Sequence, residues 1–202
     1  MNVKDRPEVI LASKSASRQT LLRGAGVAFE TRGSGVDEDV TKARILSQGG
    51  GPKEVAEALA AEKALAVSRT TPGLVIGADQ TLDFEGALVD KAASLTEARD
   101  RLWAMRGRTH YLHAALAVAR DGAVIWTLTE TASLTMRHLS EAWLDGYLER
   151  AGEQLLGSVG CYQLEAEGVQ LFSAIEGDYF AILGLPLTPL LDLLRREGAL
   201  AS

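Results

Sequence analysis

Two β-rich runs, residues 111–119 and 124–134, flank the dipeptide Asp121-Gly122. That dipeptide suits the left-handed backbone of a tight hairpin, so the middle of the chain is committed to an antiparallel strand pair. The opening of the chain is built differently. Residues 8–13 (EVILAS) form a short apolar run that reads as a buried strand. A helix over 15–26 follows, with Leu21 and Leu22 on one face and glycines at 24 and 26 as stops. A chain with both a strand–helix step and a hairpin calls for a mixed sheet rather than a purely parallel one. The expected class is therefore α/β, elongated, with a mixed sheet.

The remaining elements fit that frame. Residues 27–30 read as a second strand, and 31–51 as a polar, glycine-rich loop holding Asp37, Glu38 and Asp39. Pro52 opens a helix to about Arg69, with Val55, Ala58, Leu59 and Leu65 in helical period. After the break at Pro72-Gly73, residues 74–76 form a buried strand running into Gly77-Ala78-Asp79-Gln80. Residues 84–86 (FEG) read as a hairpin tip. Residues 97–105 read as a helix capped by Thr96, and Ser140 caps another through about Arg150. Residues 157–168 are irregular, 169–175 and 179–183 read as strands, and Pro186 starts a last helix ending near Gly198. There is no internal repeat, low-complexity tract or linker, so residues 1–202 read as one domain.

Bulk properties narrow the chemistry. The single cysteine, Cys161, excludes a disulfide framework and a multi-cysteine zinc site, and suits a reducing compartment. The charged N-terminus, Met1 to Pro7, does not resemble a signal peptide. No apolar run approaches the roughly 20 residues of a membrane span. These features suggest a cytoplasmic protein. The net charge of −6 argues against generic nucleic-acid binding, which needs a basic surface, but not against a small phosphate compound. Walker A, complete dinucleotide-fingerprint, HExxH, EF-hand and nucleophile-elbow motifs are all absent.

Five groups of residues could carry chemistry. In LASKSASR, residues 11–18, hydroxyl side chains sit between a strand and a helix N-terminus, where N–H groups favour an anion. Ser13, Lys14 and Arg18 could add to it; the plainer reading is a capped helix with solvated charges. Asp79 ends an apolar strand, where α/β proteins place ligands, and a carboxylate there can bind a metal or activate water. It could equally be a turn aspartate. Lys63 and Lys91 could neutralise a polyphosphate, although most lysines are simply solvated. The acidic run at 37–39 offers oxygen ligands suited to magnesium, or is a solvated charge run. Glu165 could accept hydrogen bonds from a guanine-like edge, or lie on the surface. His110, His113 and His138 have no metal-ligand spacing; His110 could contact the site but reads as structural. Trp103, Trp126 and Trp143 read as core or interface.

These segments together resemble the Maf family of nucleoside triphosphate pyrophosphatases. LASKSASRQTLL is similar to its N-terminal signature, VIGADQ to its central strand motif, and HLSEAWLDGYL with GSVGCYQLEAEGVQLFSAIEGDYFAILGLPL to its C-terminal portion. The resemblance implies a fold like that of inosine triphosphate pyrophosphatases, a cleft between two lobes, a divalent metal (magnesium or manganese) and frequent homodimers. It implies hydrolysis of a nucleoside triphosphate to the monophosphate and pyrophosphate. Asp79 falls on the family's acid–base position, Lys63 and Lys91 on its essential lysines, and Asp37 on its acidic, metal-side position. Ser13 and Arg18 fall on its phosphate-side motif, and Ser17, Gln80 and Glu165 on positions that distinguish substrates.

The departures concern substrate choice. Ala16 and Ser17 replace proline and arginine, and Asp90-Lys91-Ala92 replaces Gly-Lys-Pro. Gln80 with Glu165 is similar to the branch acting on 7-methyl-GTP, whereas Ser17 matches neither that branch nor the pyrimidine one. Two other classes remain open at this stage. One is a nucleotide-binding regulator of cell division with little turnover. The other is an interaction module without metal-dependent nucleotide binding.

Overall fold

A seven-stranded mixed sheet organises the chain in the computed structural model, which describes residues 6–201. The charged N-terminal segment read from the sequence lies outside the described residues except for its last two. The strands are β1 (Val9–Leu11), β2 (Glu30–Thr31), β3 (Leu74–Phe84), β4 (Ala87–Val89), β5 (Thr109–Arg120), β6 (Ala123–Met136) and β7 (Phe172–Glu176). Their order is β2-β1-β3-β5-β6-β7, with β4 paired to β3 off that path. β1 runs parallel to β2 and β3, and every other pairing is antiparallel. The helices are α1 (Ala16–Gly24), α2 (Glu38–Ser47), α3 (Pro52–Ser68), α4 (Leu95–Met105), α5 (Glu141–Ala151), α6 (Tyr179–Ile182) and α7 (Leu187–Arg196).

The hairpin at Asp121-Gly122 forms as expected, with both residues at positive φ (51° and 77°). It joins two long strands, and β5 pairs with β3 over nine residues from Val75 to Asp83. β3 is therefore the backbone of the molecule. On one edge it pairs with β1 only as far as Ile76 and with β4 only from Leu82 onward. Gly77 to Thr81 lie between, on an edge that neither strand takes.

Two apolar clusters flank that gap. One gathers Val9, Leu11, Leu22, Ile76 and Ala78 with α7. The other gathers Leu82, Leu112, Leu134 and Tyr162 with α4 and α5. β3 and β5 pass through both. On the opposite face, α3 presents Ala56, Ala60 and Ala64 to Ala115, Ala117 and Ala119 of β5, a stripe at helical spacing. Gly77 completes the close approach: a Cβ there would lie 2.1 Å from the Ala60 carbonyl oxygen.

Several elements differ from the sequence expectation. The loop expected over 31–51 contains α2. Asp37 caps it, accepting the Val40 N–H at 3.2 Å, and Glu38 and Asp39 sit in its first turn. Thr41 is its only buried residue, so it carries no apolar stripe to read. The strand expected over 179–183 is α6, because Asp178 accepts the Ala181 N–H at 2.7 Å and starts a helical turn. The second strand is Glu30–Thr31 rather than 27–30, and β7 begins at Phe172 after a short 3₁₀ turn over Glu167–Leu171. α4 is capped by Ser94 rather than Thr96.

Candidate active site

The open edge of β3 faces a cleft of about 1070 Å³. Alternation along β3 puts Asp79 on the α3 face and Gln80 on the other, and the open edge exposes both to the cleft. The α3 alanine stripe brings that helix close enough for Lys63 to reach Asp79. Its ammonium lies 2.6 Å from Asp79 Oδ1 and 2.7 Å from Glu38 Oε1. Lys63 is only 6% exposed and Asp79 8%. A buried ammonium needs such partners, since desolvation without pairing is costly.

Glu38, in the first turn of α2, is therefore the acidic residue of the 37–39 run that the fold brings to this centre. Asp37 does not line the cleft; its carboxylate caps α2. Burial pushes the Glu38 carboxyl upward. The hydrogen bond and charge of Lys63, with the charges of Lys42 and Arg18, outweigh that and hold it below its ordinary value.

The β1–α1 turn forms the opposite wall. Ser15 caps α1 by accepting the Arg18 N–H at 3.4 Å, and Ser13 Oγ accepts from the Ser15 N–H and from Arg18 Nη1, both at 3.2 Å. Arg18 Nε donates to the Gly184 carbonyl at 2.8 Å. Burial pulls its guanidinium below its ordinary value, against the charges of Asp79 and Glu38, yet arginine stays protonated at any ordinary pH. Its hydrogen-bond partners are all neutral. Lys14 and Lys91 also line the cleft and form no ion pair among the described residues. Lys42, also in the lining, is instead tied to Asp90 at 2.6 Å.

Two of the three residues expected to distinguish substrates, Ser17 and Gln80, share a structural task. Ser17 Oγ donates to the Leu183 carbonyl at 2.8 Å, and Gln80 Nε2 donates to the carbonyls of Ala181 and Ile182, both at 2.9 Å. With Arg18 on Gly184, four successive carbonyls from 181 to 184 are held from outside the segment. These bonds fix the Gln80 amide so that Oε1 is its uncommitted acceptor. Glu165 lies on the far wall, within the lining segment 157–165.

The cleft thus collects Ser13, Ser17, Arg18, Lys63, Asp79, Gln80, Lys91 and Glu165 and leaves Asp37 outside. The 37–39 run as a whole was legible as acidic, and the resemblance singled out Asp37; nothing in a run of three acids marks Glu38 as the one that reaches Lys63. Sequence reasoning passed over Tyr162, which lines the cleft. Among the described residues, no group of three or more His, Cys, Asp or Glu converges as metal donors. No described helix is long and apolar enough to cross a membrane.

Residues 8–197 match the family described as Maf-like protein. A nucleoside triphosphate pyrophosphatase of Caulobacter vibrioides is 62% identical over 95% of this chain and 96% of its own length. A protein of the same description from Granulibacter bethesdensis is 49% identical over 96% and 98%. A 7-methyl-GTP pyrophosphatase of Rhizobium meliloti is 45% identical over 96% and 98%. A solved HAM1 protein structure from Coxiella burnetii overlaps only in part, with a TM-score of 0.41 and 18% identity over 64% of this chain and 73% of that one. The chain belongs to the Maf-like protein family.

Proposed function

We propose that this protein hydrolyses a nucleoside triphosphate to the monophosphate and pyrophosphate, and so limits the incorporation of non-canonical nucleotides. The observation that carries the reading is the division of charge across one cleft. Asp79 and Glu38 share the Lys63 ammonium on one side. Arg18, Lys14 and Lys91, without carboxylate partners, line the rest of the cleft. A polyphosphate supplies the negative charge those cations lack. The family relatives described as nucleoside triphosphate pyrophosphatases support the same reaction.

In this reading the β1–α1 turn, with Ser13, Arg18 and the α1 N-terminus, anchors the phosphates. Lys63 and Lys91 offset charge that develops as the anhydride breaks. Asp79 orients and deprotonates the attacking water, with Lys63 fixing its Oδ1. No covalent intermediate is needed, because positioning and electrostatics suffice for such transfer.

The donor chemistry fits magnesium or manganese. Glu38 and Asp79 meet at the Lys63 ammonium through Oε1 and Oδ1, which leaves the second oxygen of each carboxylate as a hard donor. Magnesium characteristically takes one or two carboxylates and completes its shell with phosphate and water. When bound, the ion would offset phosphate charge. The metal-side role expected for Asp37 passes in this proposal to Glu38.

Gln80 Oε1 and Glu165 are both acceptors, so the base they suit is one with N–H donors on its edge, such as guanine or its 7-methyl derivative. The proposal further places one functional unit in the cytoplasm, with a homodimer as the assembly to test and neither nucleic acid nor membrane as partner. The experiment is a panel of canonical and 7-methylated triphosphates with magnesium or manganese, scoring pyrophosphate against orthophosphate. Pyrophosphate with a guanine-type preference is expected. Binding without release would favour a regulator, and a preference for dTTP or UTP would overturn the specificity assignment.

A further inference from the structure

The wall that carries Glu165 is locked by contacts made from behind it. Cys161 sits there at φ 56°, fully buried. A non-glycine residue holds that left-handed conformation only when its surroundings enforce it. Arg101 of α4 donates to the Val159 carbonyl at 2.9 Å and lies 3.7 Å from Cys161 Sγ. Ser158 Oγ donates to the Tyr162 carbonyl at 2.9 Å and accepts the Tyr162 N–H at 3.1 Å. The Tyr162 ring packs over Gly160, where a Cβ would come within 2.2 Å of it.

One contact ties this wall directly to the sheet that bears Asp79. His110 of β5 is 0% exposed, and its Nε2 lies 2.7 Å from the Tyr162 hydroxyl. Phe172 closes the other side, edge-on to the Tyr162 ring with centroids 4.8 Å apart. His110 Nδ1 is the one buried side-chain polar atom without a partner among the described residues. A bare ring nitrogen is easier to leave unpaired than an orphaned N–H. The neutral tautomer with its proton on Nε2, donating to Tyr162, is therefore favoured. The ring stays in that state because burial lowers its pKa to about 4.

We infer that His110 is a positioning residue for nucleotide selectivity: through the Tyr162 hydroxyl it fixes the 157–165 wall, and hence Glu165, relative to Asp79. The inference rests on the triphosphate-hydrolysing reading of the cleft. His110 reaches no substrate itself, since Tyr162 stands between its ring and the cleft.

The test compares wild type with His110→Phe, which keeps a ring and loses the hydrogen bond, and His110→Gln, whose amide can reach the Nε2 position. Tyr162→Phe removes the same bond from the other side and serves if a His110 variant does not fold. Steady-state constants are measured for GTP and UTP. His110→Phe is expected to raise KM for the better substrate about three- to tenfold, the loss of one hydrogen bond. kcat should stay within about twofold, the GTP/UTP ratio of kcat/KM should fall, and His110→Gln should restore much of that ratio. Tyr162→Phe should lower the ratio similarly, with no further loss in the double variant. An unchanged ratio, or equal losses for both nucleotides, in an active His110→Phe or Tyr162→Phe enzyme overturns the inference alone. A wild type that releases no pyrophosphate from any triphosphate overturns the enzymatic reading and this inference with it.

Discussion

Replacing Lys63 by methionine removes the one cation that two cleft carboxylates share, while keeping the length and much of the bulk of its stem. Asp79 is then left 8% exposed with its 2.6 Å partner gone. Removing one member of a buried pair costs about 3–5 kcal/mol, because the survivor stays desolvated and uncompensated. The lower end applies here. Glu38 is half-exposed, and Arg18 still acts on Asp79 from across the cleft. A loss of about 3 kcal/mol corresponds to a fall in Tm of roughly 6–12 °C in a chain of this size. Adding Asp79→Asn removes the orphaned charge, and the double variant should recover about 2 kcal/mol over Lys63→Met. Urea unfolding of wild type, both single variants and the double variant reads the cycle. A Lys63→Met protein as stable as wild type, or strictly additive effects, would refute the argument that this pair is desolvated and coupled.

Other outcomes follow from neighbouring contacts. Gly77→Ala should cost about 3 kcal/mol or more by thermal melts, because its Cβ meets α3 backbone rather than a movable side chain. Glu38, depressed below its ordinary 4.5, supports the fold fully above that value. It loses that support as pH falls through its lower folded pKa, so acid unfolding should begin below pH 4.5, and Glu38→Gln should remove that part of the acid limb. The adjacent acids should also separate functionally. Asp37→Ala loses a helix cap worth about 1 kcal/mol, seen in the melt, with turnover nearly retained. Glu38→Gln should reduce turnover far more than it lowers Tm.

Elements with local signatures were legible in the sequence. The β5–β6 hairpin declares itself because Asp121 and Gly122 both adopt positive φ, and α5 because Ser140 caps it. α3 shows an apolar period, although its role depends on the alanines and on Gly77, whose importance appears only once helix and strand are packed. α2 was hidden, since it is held by Asp37, by the Thr41–Glu62 hydrogen bond and by the Arg44–Glu62 ion pair rather than by an apolar face. α6 imitates a strand because YFAI is an apolar run, and its helical turn rests on Asp178 and on partners more than 100 residues away. The same distance hides the tasks of Ser17 and Gln80. Their hydrogen bonds to 181–183 exist only in three dimensions, so residue type suggested base recognition before it suggested bracing.

The most direct measurement is pyrophosphate release by Asp79→Asn, with triphosphate binding followed separately. The substitution keeps the side chain's size and its contact with Lys63 while removing the carboxylate that would activate water. At least a hundredfold loss of turnover is expected, on the order of what a positioned general base contributes, with binding still measurable. Turnover at the wild-type rate would contradict the assignment of Asp79 and, with it, the chemistry proposed for the cleft.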